Sequence, residues 1–316
     1  MTTPTGPAAG VHLPWARVPA AVRAWAAEVG GGAPRAVRDL AGGFSPGATA
    51  VLECAGGHIF VKAVGSELNP DSPALHRREA VVSAALPRSH FVPHLLDTYD
   101  DGDWVALAFE AVDGRPPRHP WEGGELAMVT EALSSLHREF TPSPLSSLTP
   151  LAEYLHHMLG GWAELAAMEA PPAGLDAWAA SHLVRLAELE SGWPAACEGP
   201  TLLHGDVRAD NVLLDAGRVV FVDWPHAAVG SAAFDVIAWA PSVVLEGGPP
   251  PEQLLDRHVP PVDVDPDVVT VLLAAVCGFF VERSFRPPPP GLPTIRAFQA
   301  AQGAVALAWL RRRTGW

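Results

Sequence analysis

Hydrophobic positions in the first third of the chain occur in short runs, separated by Gly-rich turns. Residues 15–29 differ, because Trp and Val recur there at helical spacing before a Gly run. The stretch "AVRDLAGGFSPGATAVLECAGGHIFVKAV" predicts β-hairpins, and residues 73–86 predict a helix that begins at Pro73. Two strands follow, "HLLDTYDD" and "DWVALAFEAV". The pattern up to residue 110 therefore predicts a small, mostly antiparallel sheet with one inserted helix.

Beyond the segment "VDGRPPRHP" the hydrophobic period becomes helical. Short strands around polar turns interrupt the helical pattern at residues 201–224, and the segments "GGPPPEQ" and "RPPPPGLP" predict linkers or rigid loops. We therefore expect an α+β chain with a sheet lobe over residues 1–110 and a mostly helical lobe over residues 111–316. The predicted helices of the second lobe cover residues 125–139, 151–169, 174–190, 233–245, 267–285 and 294–312.

Composition limits the classes of function. Hydrophobic residues make up 48% of the chain and charged residues 18%, which is typical of a globular protein with a large core. The formal net charge is −14. An acidic chain does not bind nucleic acid through a general basic surface, whereas it attracts a cationic small molecule. We therefore expect a small-molecule partner and no nucleic acid.

The sequence predicts neither export nor membrane insertion. The first residues, "MTTPTGPAAGVHLPW", lack a basic region followed by an apolar core, so we expect no signal peptide. The longest apolar run, residues 268–281, is short for a bilayer and predicts a buried helix. Cys54, Cys197 and Cys277 have no paired metal spacing and are expected to be buried free thiols. Together these features predict a cytoplasmic protein that contacts no membrane.

The strongest local signal is the segment "LLHGDVRADNVLL" at residues 202–214. Its apolar runs flank a polar loop with His204, Asp206 and Asn211, and a later strand ends on Asp223. A carboxylate, an amide and a second carboxylate at adjacent strand ends are the set that phosphoryl transfer uses. One carboxylate orients the attacking hydroxyl and accepts its proton. The amide oxygen and the other carboxylate hold Mg²⁺ against the phosphates.

The spacing H-G-D-x-x-x-x-N followed by D-W resembles the aminoglycoside phosphotransferase family, a branch of the protein-kinase-like fold. Protein kinases carry H-R-D-x-x-x-x-N and then D-F-G, whereas the small-molecule kinases show the changes found at Gly205 and Trp224. The resemblance covers most of the chain, residues 35–300, and is specific in the block 204–235. It implies a bilobal fold in which a small antiparallel sheet lobe binds the nucleotide and a larger helical lobe carries catalysis and substrate binding.

The resemblance implies a role for each matching position. Asp206 corresponds to the catalytic base, and His204 to a residue that supports the catalytic loop. Asn211 and Asp223 correspond to the two magnesium ligands. Asp235 corresponds to a structural aspartate that braces the catalytic loop from the start of a helix.

Two positions depart from the family's pattern. Arg208 stands where relatives often have a second His or a Lys, and it could touch the γ-phosphate or pair with Asp210. Both functions are left open by the sequence. Pro225 follows Asp-Trp where many relatives carry an acidic residue, which could alter the surroundings of Asp223.

In the first lobe, the resemblance assigns a function to the only lysine of the chain. Lys62 ends the short strand "HIFVKAV" and would bridge the α- and β-phosphates, held by a carboxylate. Glu79 on the next predicted helix matches the family's partner position, and Glu67 is the alternative nearer in sequence. The preceding turn, "LAGGFSPGATAVLE", contains Gly43 and Ser45, which would lie against the phosphates. It lacks the regular G-x-G-x-x-G, and taken alone it is typical of an ordinary hairpin turn.

The segment "ALAFEAVDGRPP" is expected to be the hinge between the lobes. Backbone groups from Phe109 to Val112 would contact the purine, and the side chains there could equally be core packing. The implied cofactors are ATP, with GTP left open, and Mg²⁺.

The implied activity is an ATP-dependent transfer of the γ-phosphate to a hydroxyl of a small molecule. Acidic residues gather at 246–267, and in relatives carboxylates of this lobe bind ammonium groups, although a solvated acidic loop would have the same composition. The C-terminal segment "AWLRRRTGW" is basic. The expected acceptor is an aminoglycoside or another cationic antibiotic, which would make the protein a resistance factor. The alternatives are a kinase of a metabolic alcohol, a non-catalytic nucleotide-binding module of the same fold, and a phosphate-releasing hydrolase. Monomer and dimer both remain open.

Overall fold

The computed structural model describes residues 11–40 and 46–316, and their contacts divide the chain into two compact units. The first unit contains the chain up to Pro116 and two later segments, Asp210–Pro225 and Pro288–Ile295. The second unit is made of Pro117–Ala209, His226–Pro287 and Arg296–Trp316. Two segments from late in the chain therefore belong to the first unit. The predicted lobe of residues 1–110 does not contain these two segments.

Strands and helices both contribute to the fold. The strands are β1 (Ala36–Asp39), β2 (Ala48–Cys54), β3 (Gly57–Gly65), β4 (Leu95–Asp100), β5 (Trp104–Glu110), β6 (Thr201–Leu203), β7 (Val212–Asp215), β8 (Arg218–Phe221) and β9 (Ala228–Gly230). The helices are α1 (Ala20–Val29), α2 (Ser72–Ala85), α3 (Gly123–Glu139), α4 (Leu151–Tyr154), α5 (Gly161–Ala166), α6 (Ala177–Ser181), α7 (Leu183–Glu190), α8 (Trp193–Ala196), α9 (Ala233–Leu245), α10 (Pro251–Arg257), α11 (Pro266–Ser284) and α12 (Ile295–Thr314).

The first unit is built on a five-stranded antiparallel sheet in the order β1-β2-β3-β5-β4. Side chains alternate between the two faces of the sheet. Val61 of β3 points to the face that α1 covers. Phe60 points to the other face, where it packs with Leu107 of β5 and Ala80 of α2. Lys62 is paired directly with Leu107 across β3 and β5. Lys62 therefore lies on the face of the sheet that α2 covers. The predicted antiparallel sheet with one inserted helix is confirmed.

The second unit is mostly helical, as the sequence predicts. At its centre α11 packs against α5, α7, α8 and α9. The apolar run predicted as a buried helix lies in α11, where every residue from Leu272 to Gly278 is buried. A helix that is apolar on all sides is typical of a core position. The strands β6 and β9 form a two-stranded antiparallel ribbon in this unit.

Three predicted boundaries are wrong. Residues 151–169 form two short helices: α4 ends at Tyr154, and Gly160, whose φ of 113° lies outside the right-handed helical region, stands immediately before α5. Residues 174–190 form α6 and α7 on either side of His182. The segment "GGPPPEQ" is a loop only in part, because α10 begins at Pro251, a residue type that is favoured in the first turn of a helix.

Two other sequence expectations concern cysteine and the membrane. Cys54, Cys197 and Cys277 are buried and free, as predicted. Burial raises the pKa of each thiol, and that of Cys197 to about 11. Within the described part of the chain, no helix combines the length and the apolar character needed to cross a membrane.

Candidate active site

Lys62 lies in a buried cluster of charges in the first unit. Its ammonium forms an ion pair with Glu79 of α2 and lies 2.5 Å from Oδ1 of Asp223. Lys62 is 7% exposed and Glu79 is 2% exposed. Burial alone would lower the pKa of Lys62, but the two carboxylates outweigh burial and raise it, so Lys62 is charged. Glu67, the alternative partner, is an exposed residue.

Helix α2 holds the chain that follows Asp223. The Glu79 carboxylate accepts a hydrogen bond from the backbone of Trp224, and Arg78 Nε donates to the carbonyl oxygen of Pro225 at 2.7 Å. Burial raises the pKa of Glu79, and the ammonium of Lys62 opposes this shift. Arg78 and Glu79, which are adjacent in α2, thus hold the segment that follows Asp223, and Glu79 also holds Lys62.

Asn211 directly precedes β7, and Asp223 follows β8 after one intervening residue. Because β7 and β8 form an antiparallel hairpin, both residues lie at its open end. Val212 pairs with Phe221, and the backbone N–H of Val222 donates to the carbonyl oxygen of Asn211 at 2.9 Å. Asp223 has a φ of 69°, which is uncommon for a residue with a side chain and occurs where surrounding contacts hold the backbone. The two predicted metal ligands are therefore neighbours in the folded chain.

The chemistry of these two side chains suits a hard cation such as Mg²⁺, which prefers oxygen ligands. No group of three or more His, Cys, Asp or Glu side chains that could hold a metal occurs within residues 11–40 and 46–316. Two side-chain oxygens fill only part of the octahedral shell of Mg²⁺, so an ion held by Asn211 and Asp223 would also bind phosphate oxygens and water. This is the usual way in which Mg²⁺ is held in phosphoryl-transfer sites.

In the second unit, a buried aspartate fixes the loop that carries Asp206. The Asp235 carboxylate accepts hydrogen bonds from the backbone N–H groups of His204 and Gly205, at 2.9 and 2.8 Å. The ring of His204 is fully buried, and its Nδ1 accepts a hydrogen bond from the backbone of Asp206 at 3.3 Å. Asp206 itself keeps 31% of its side chain exposed. The loop is thus held through its backbone while the carboxylate stays accessible.

Arg208 lies beside Asp206, with its Nη1 3.8 Å from Oδ2 of that carboxylate. The guanidinium is also positioned over the ring of Phe298, 5.7 Å from its centroid. Only 16% of the Arg208 side chain is exposed. The aromatic contact limits the freedom of the side chain and keeps a positive charge close to Asp206. The sequence does not indicate the contact with Phe298.

Two histidines that sequence reasoning missed extend this network. His137 Nε2 lies 3.0 Å from Asp235, and His137 Nδ1 lies 3.0 Å from Nε2 of His258. Burial of Asp235 would raise the pKa of its carboxyl, but His137 and other donors outweigh burial and lower it. Burial lowers the pKa of His258 to about 3. No motif marks either histidine, because both lie far along the chain from the catalytic loop.

The low pKa of His258 predicts a pH-dependent stability. The unfolded chain takes up a proton at this residue as the pH falls below its ordinary pKa of 6.5, whereas the folded chain does so only near pH 3. Stability is therefore lost as the pH falls through this window. Between about pH 7.5 and about pH 5, His258 should lower the free energy of unfolding by roughly 2 kcal/mol, to be measured by urea denaturation.

The variant His258→Gln should remove that contribution, because the glutamine amide does not titrate and can still pair with His137. Replacing the exposed His156 by glutamine is the matched control and should leave the pH profile unchanged. An unaltered pH profile in the His258 variant would contradict this explanation.

Gly205 is required where protein kinases carry arginine. Its φ is 79°, and a Cβ there would overlap with the backbone carbonyl of His226. Gly205→Ala should therefore lower the free energy of unfolding by roughly 3 kcal/mol, from backbone strain and overlap together. Gly174→Ala is the control, because Gly174 also has a positive φ but has open space around its Cβ position. Urea denaturation should show a loss of about 1 kcal/mol for this control.

The hinge and the Gly-rich turn complete the list of predicted nucleotide contacts. Phe109 is 4% exposed and packs against Phe60, so its side chain belongs to the core. The backbone N–H of Glu110 donates to the carbonyl oxygen of His94. Val112 is half-buried just beyond β5. Gly43 and Ser45 lie outside the described residues.

Acidic residues at 246–267 include several with contacts of their own. Glu246 accepts a hydrogen bond from Trp121 Nε1 at 2.9 Å, and Glu252 pairs with Arg312 at 3.1 Å. Asp265 caps α11 by accepting from the backbone of Asp267. Glu246 and Asp265 thus have structural contacts in the second unit and Glu252 has a surface ion pair, which the sequence count of acidic residues does not reveal.

Comparison with protein families gives one match. The profile described as the phosphotransferase enzyme family covers residues 36–257, well over half of the chain. Among curated proteins, none matches the sequence.

Solved structures with the same fold include several small-molecule kinases. Choline kinase LicA from Streptococcus pneumoniae is 14% identical with a TM-score of 0.57, over 88% of this chain and 94% of that one. An aminoglycoside-3'-phosphotransferase of type VIII is 21% identical with a TM-score of 0.51, over 77% and 93%. A choline/ethanolamine kinase family protein from Mesorhizobium loti is 16% identical with a TM-score of 0.53, over 88% and 87%. At these identities the similarities show the kinase-like fold.

Proposed function

Because the chain belongs to the phosphotransferase enzyme family and is a small-molecule kinase, we propose that it moves the γ-phosphate of ATP to a hydroxyl of a small cationic molecule. The observation that carries this proposal is the buried cluster of Lys62, Glu79 and Asp223. Burying an ion cluster of this kind costs free energy of desolvation and adds little to stability, and such buried charge clusters concentrate at functional sites.

The residues of the first unit bind and orient the nucleotide in this proposal. Lys62 contacts the α- and β-phosphates, and Glu79 keeps the ammonium in place. Asn211 and Asp223 would hold Mg²⁺. When bound, this ion neutralises the negative charge of the phosphates. The backbone between Phe109 and Val112 binds the purine. Gly43 and Ser45 are assigned to the phosphates in this proposal.

The residues of the second unit act on the acceptor. Asp206 accepts a hydrogen bond from the acceptor hydroxyl and takes its proton as the oxygen attacks the γ-phosphorus. His204 keeps the backbone of Asp206 in place. Arg208 contributes positive charge beside Asp206, which would stabilise the transferred phosphoryl group. A non-catalytic module of the same fold would not need this combination of base, lysine and oxygen ligands.

The acceptor that we propose is an amino alcohol, with aminoglycosides as the first candidates. Choline and aminoglycosides, which appear in the names of the structural neighbours, are hydroxyl-bearing cations. The net charge of −14 favours the approach of such molecules. Phosphorylation of an aminoglycoside would give antibiotic resistance, and the cytoplasm, which supplies ATP and keeps thiols reduced, is the proposed location.

The test is a panel of acceptors incubated with the protein and Mg-ATP. The panel contains aminoglycosides, choline, ethanolamine and uncharged sugar alcohols, and the readouts are ADP release and product mass. We expect ADP only when an amino alcohol is present, with a mass increase of one phosphoryl group. ADP release with uncharged alcohols alone would contradict the cationic acceptor, and ADP release without any acceptor would favour a hydrolase.

A further inference from the structure

A surface pocket opens in the first unit where α2 ends. Its volume is about 340 Å³, within the range of small-molecule sites. The end of α2, residues 87–94, residues 110–112 and strand β8 form its walls. Neither Lys62 nor Asp223 is among the described residues that line it. The pocket is therefore separate from the proposed phosphate-binding cluster.

The walls of this pocket are rich in arginine and histidine although the chain is strongly acidic. Arg88, Arg218, His90 and His94 line it, against the single carboxylate of Glu110. These four side chains supply N–H donors to a shared space. In a chain with a net charge of −14, such a concentration favours an anionic ligand.

The two arginines have partners that a ligand can replace. Arg88 lies 3.4 Å from Glu110, and Arg218 lies 3.0 Å from Asp215. The side chains of Arg88 and Arg218 are 72% and 43% exposed, and exposed single-contact ion pairs are weak. By contrast, Arg77 forms two hydrogen bonds with Asp100, at 2.7 and 2.8 Å. Arg88 and Arg218 can therefore turn towards an anion at little cost.

A buried hydroxyl in the wall also indicates a ligand. Ser83 of α2 is 6% exposed and lines the pocket, and its Oγ has no hydrogen-bond partner among the residues that the structure describes. Buried polar groups normally have a partner, because an unpaired one costs free energy. An oxygen of a molecule in the pocket would accept the hydrogen bond of this hydroxyl.

We infer that this pocket binds a small phosphate-bearing anion between Arg88, Arg218 and the hydroxyl of Ser83. A phosphate group offers several charged oxygens, so it can accept hydrogen bonds from two guanidinium groups and a hydroxyl together. Residues 110–112, which we propose as the purine-binding hinge, form part of the pocket wall, so the inference rests on the proposed function. The test therefore fills the nucleotide site first, so that binding of a second ligand is distinguished from binding of the nucleotide.

The test is a titration of inorganic phosphate followed by amide NMR on the full chain. Saturating Mg²⁺ and a non-hydrolysable ATP analogue block the nucleotide site, and sodium chloride keeps the ionic strength constant. We expect saturable shifts of the amides of Ser83, Ser89 and Ala111. The double variant R88Q/R218Q should bind phosphate about tenfold more weakly. The variant S83A should also bind more weakly.

Arg77→Gln is the matched control, since it removes an exposed arginine of the same unit that does not line the pocket. It should bind phosphate like the wild type. The amide spectra report at the same time whether each variant is folded. Absence of saturable shifts at the three amides, or equal affinity in R88Q/R218Q and the wild type, would overturn the inference. Because the readout is binding, a failure to find kinase activity leaves this result unaffected.

Discussion

Replacing Asp206 by asparagine is expected to lower kcat by about 10³-fold, the usual loss when a general base is removed. The backbone of the loop is held by His204 and Asp235, so the substitution removes the carboxylate without releasing the loop. Nucleotide affinity should stay near that of the wild type, because phosphate binding is assigned to residues of the first unit. Steady-state kinetics with the best acceptor and calorimetric titration of the nucleotide measure the two quantities.

Asp210→Asn is the matched control, because Asp210 is an exposed carboxylate four residues further along the same segment. We expect its kcat to remain close to that of the wild type. If Asp206→Asn and Asp210→Asn have equal turnover, Asp206 is not the base. If Asp206→Asn loses nucleotide binding as well, its function is structural.

Replacing Lys62 by arginine is expected to lower kcat/KM by about 10²-fold although the charge is kept, because arginine and lysine are not equivalent at a desolvated point-charge site. Lys62 is 7% exposed and its ammonium is held between Glu79 and Asp223. The larger planar guanidinium does not fit this space without moving one carboxylate. Kinetics at varied ATP concentration provide the measurement.

Arg77→Lys serves as the control for this exchange of one cation for another, since Arg77 is an exposed residue whose pair with Asp100 lies on the surface. Its activity should match the wild type. Thermal unfolding shows whether Lys62→Arg is folded. A folded Lys62→Arg variant with normal kcat/KM would mean that the lysine at this position has no special function.

Much of the first unit could be predicted because its signals are local. The alternation of side chains along β3 predicts which residues share a face with Lys62, and α2 follows the sheet strands at the expected position. The pair of Lys62 and Glu79 was expected from the family resemblance and is present. The family and the kinase-like fold followed from one block of sequence around Asp206.

Other parts depend on contacts between residues that are distant in sequence. Asp223 lies 161 positions from Lys62, and the sequence gives no sign that it is the second carboxylate beside the lysine. The network of His137, Asp235 and His258 is equally non-local. Helical period alone also cannot show that residues 155–160 interrupt the helix, because a glycine inside a helical pattern is tolerated and only the tertiary fold decides the φ of Gly160.

The most direct test of the central claim follows the γ-phosphate itself. ATP labelled at the γ-phosphate is incubated with Mg²⁺, the wild-type protein and the acceptor identified from the panel, and the label in the acceptor is compared with the ADP formed. The proposed function predicts that the two amounts are equal and that both disappear in Asp206→Asn. Label in inorganic phosphate, or an acceptor that stays unlabelled while ADP forms, would contradict it.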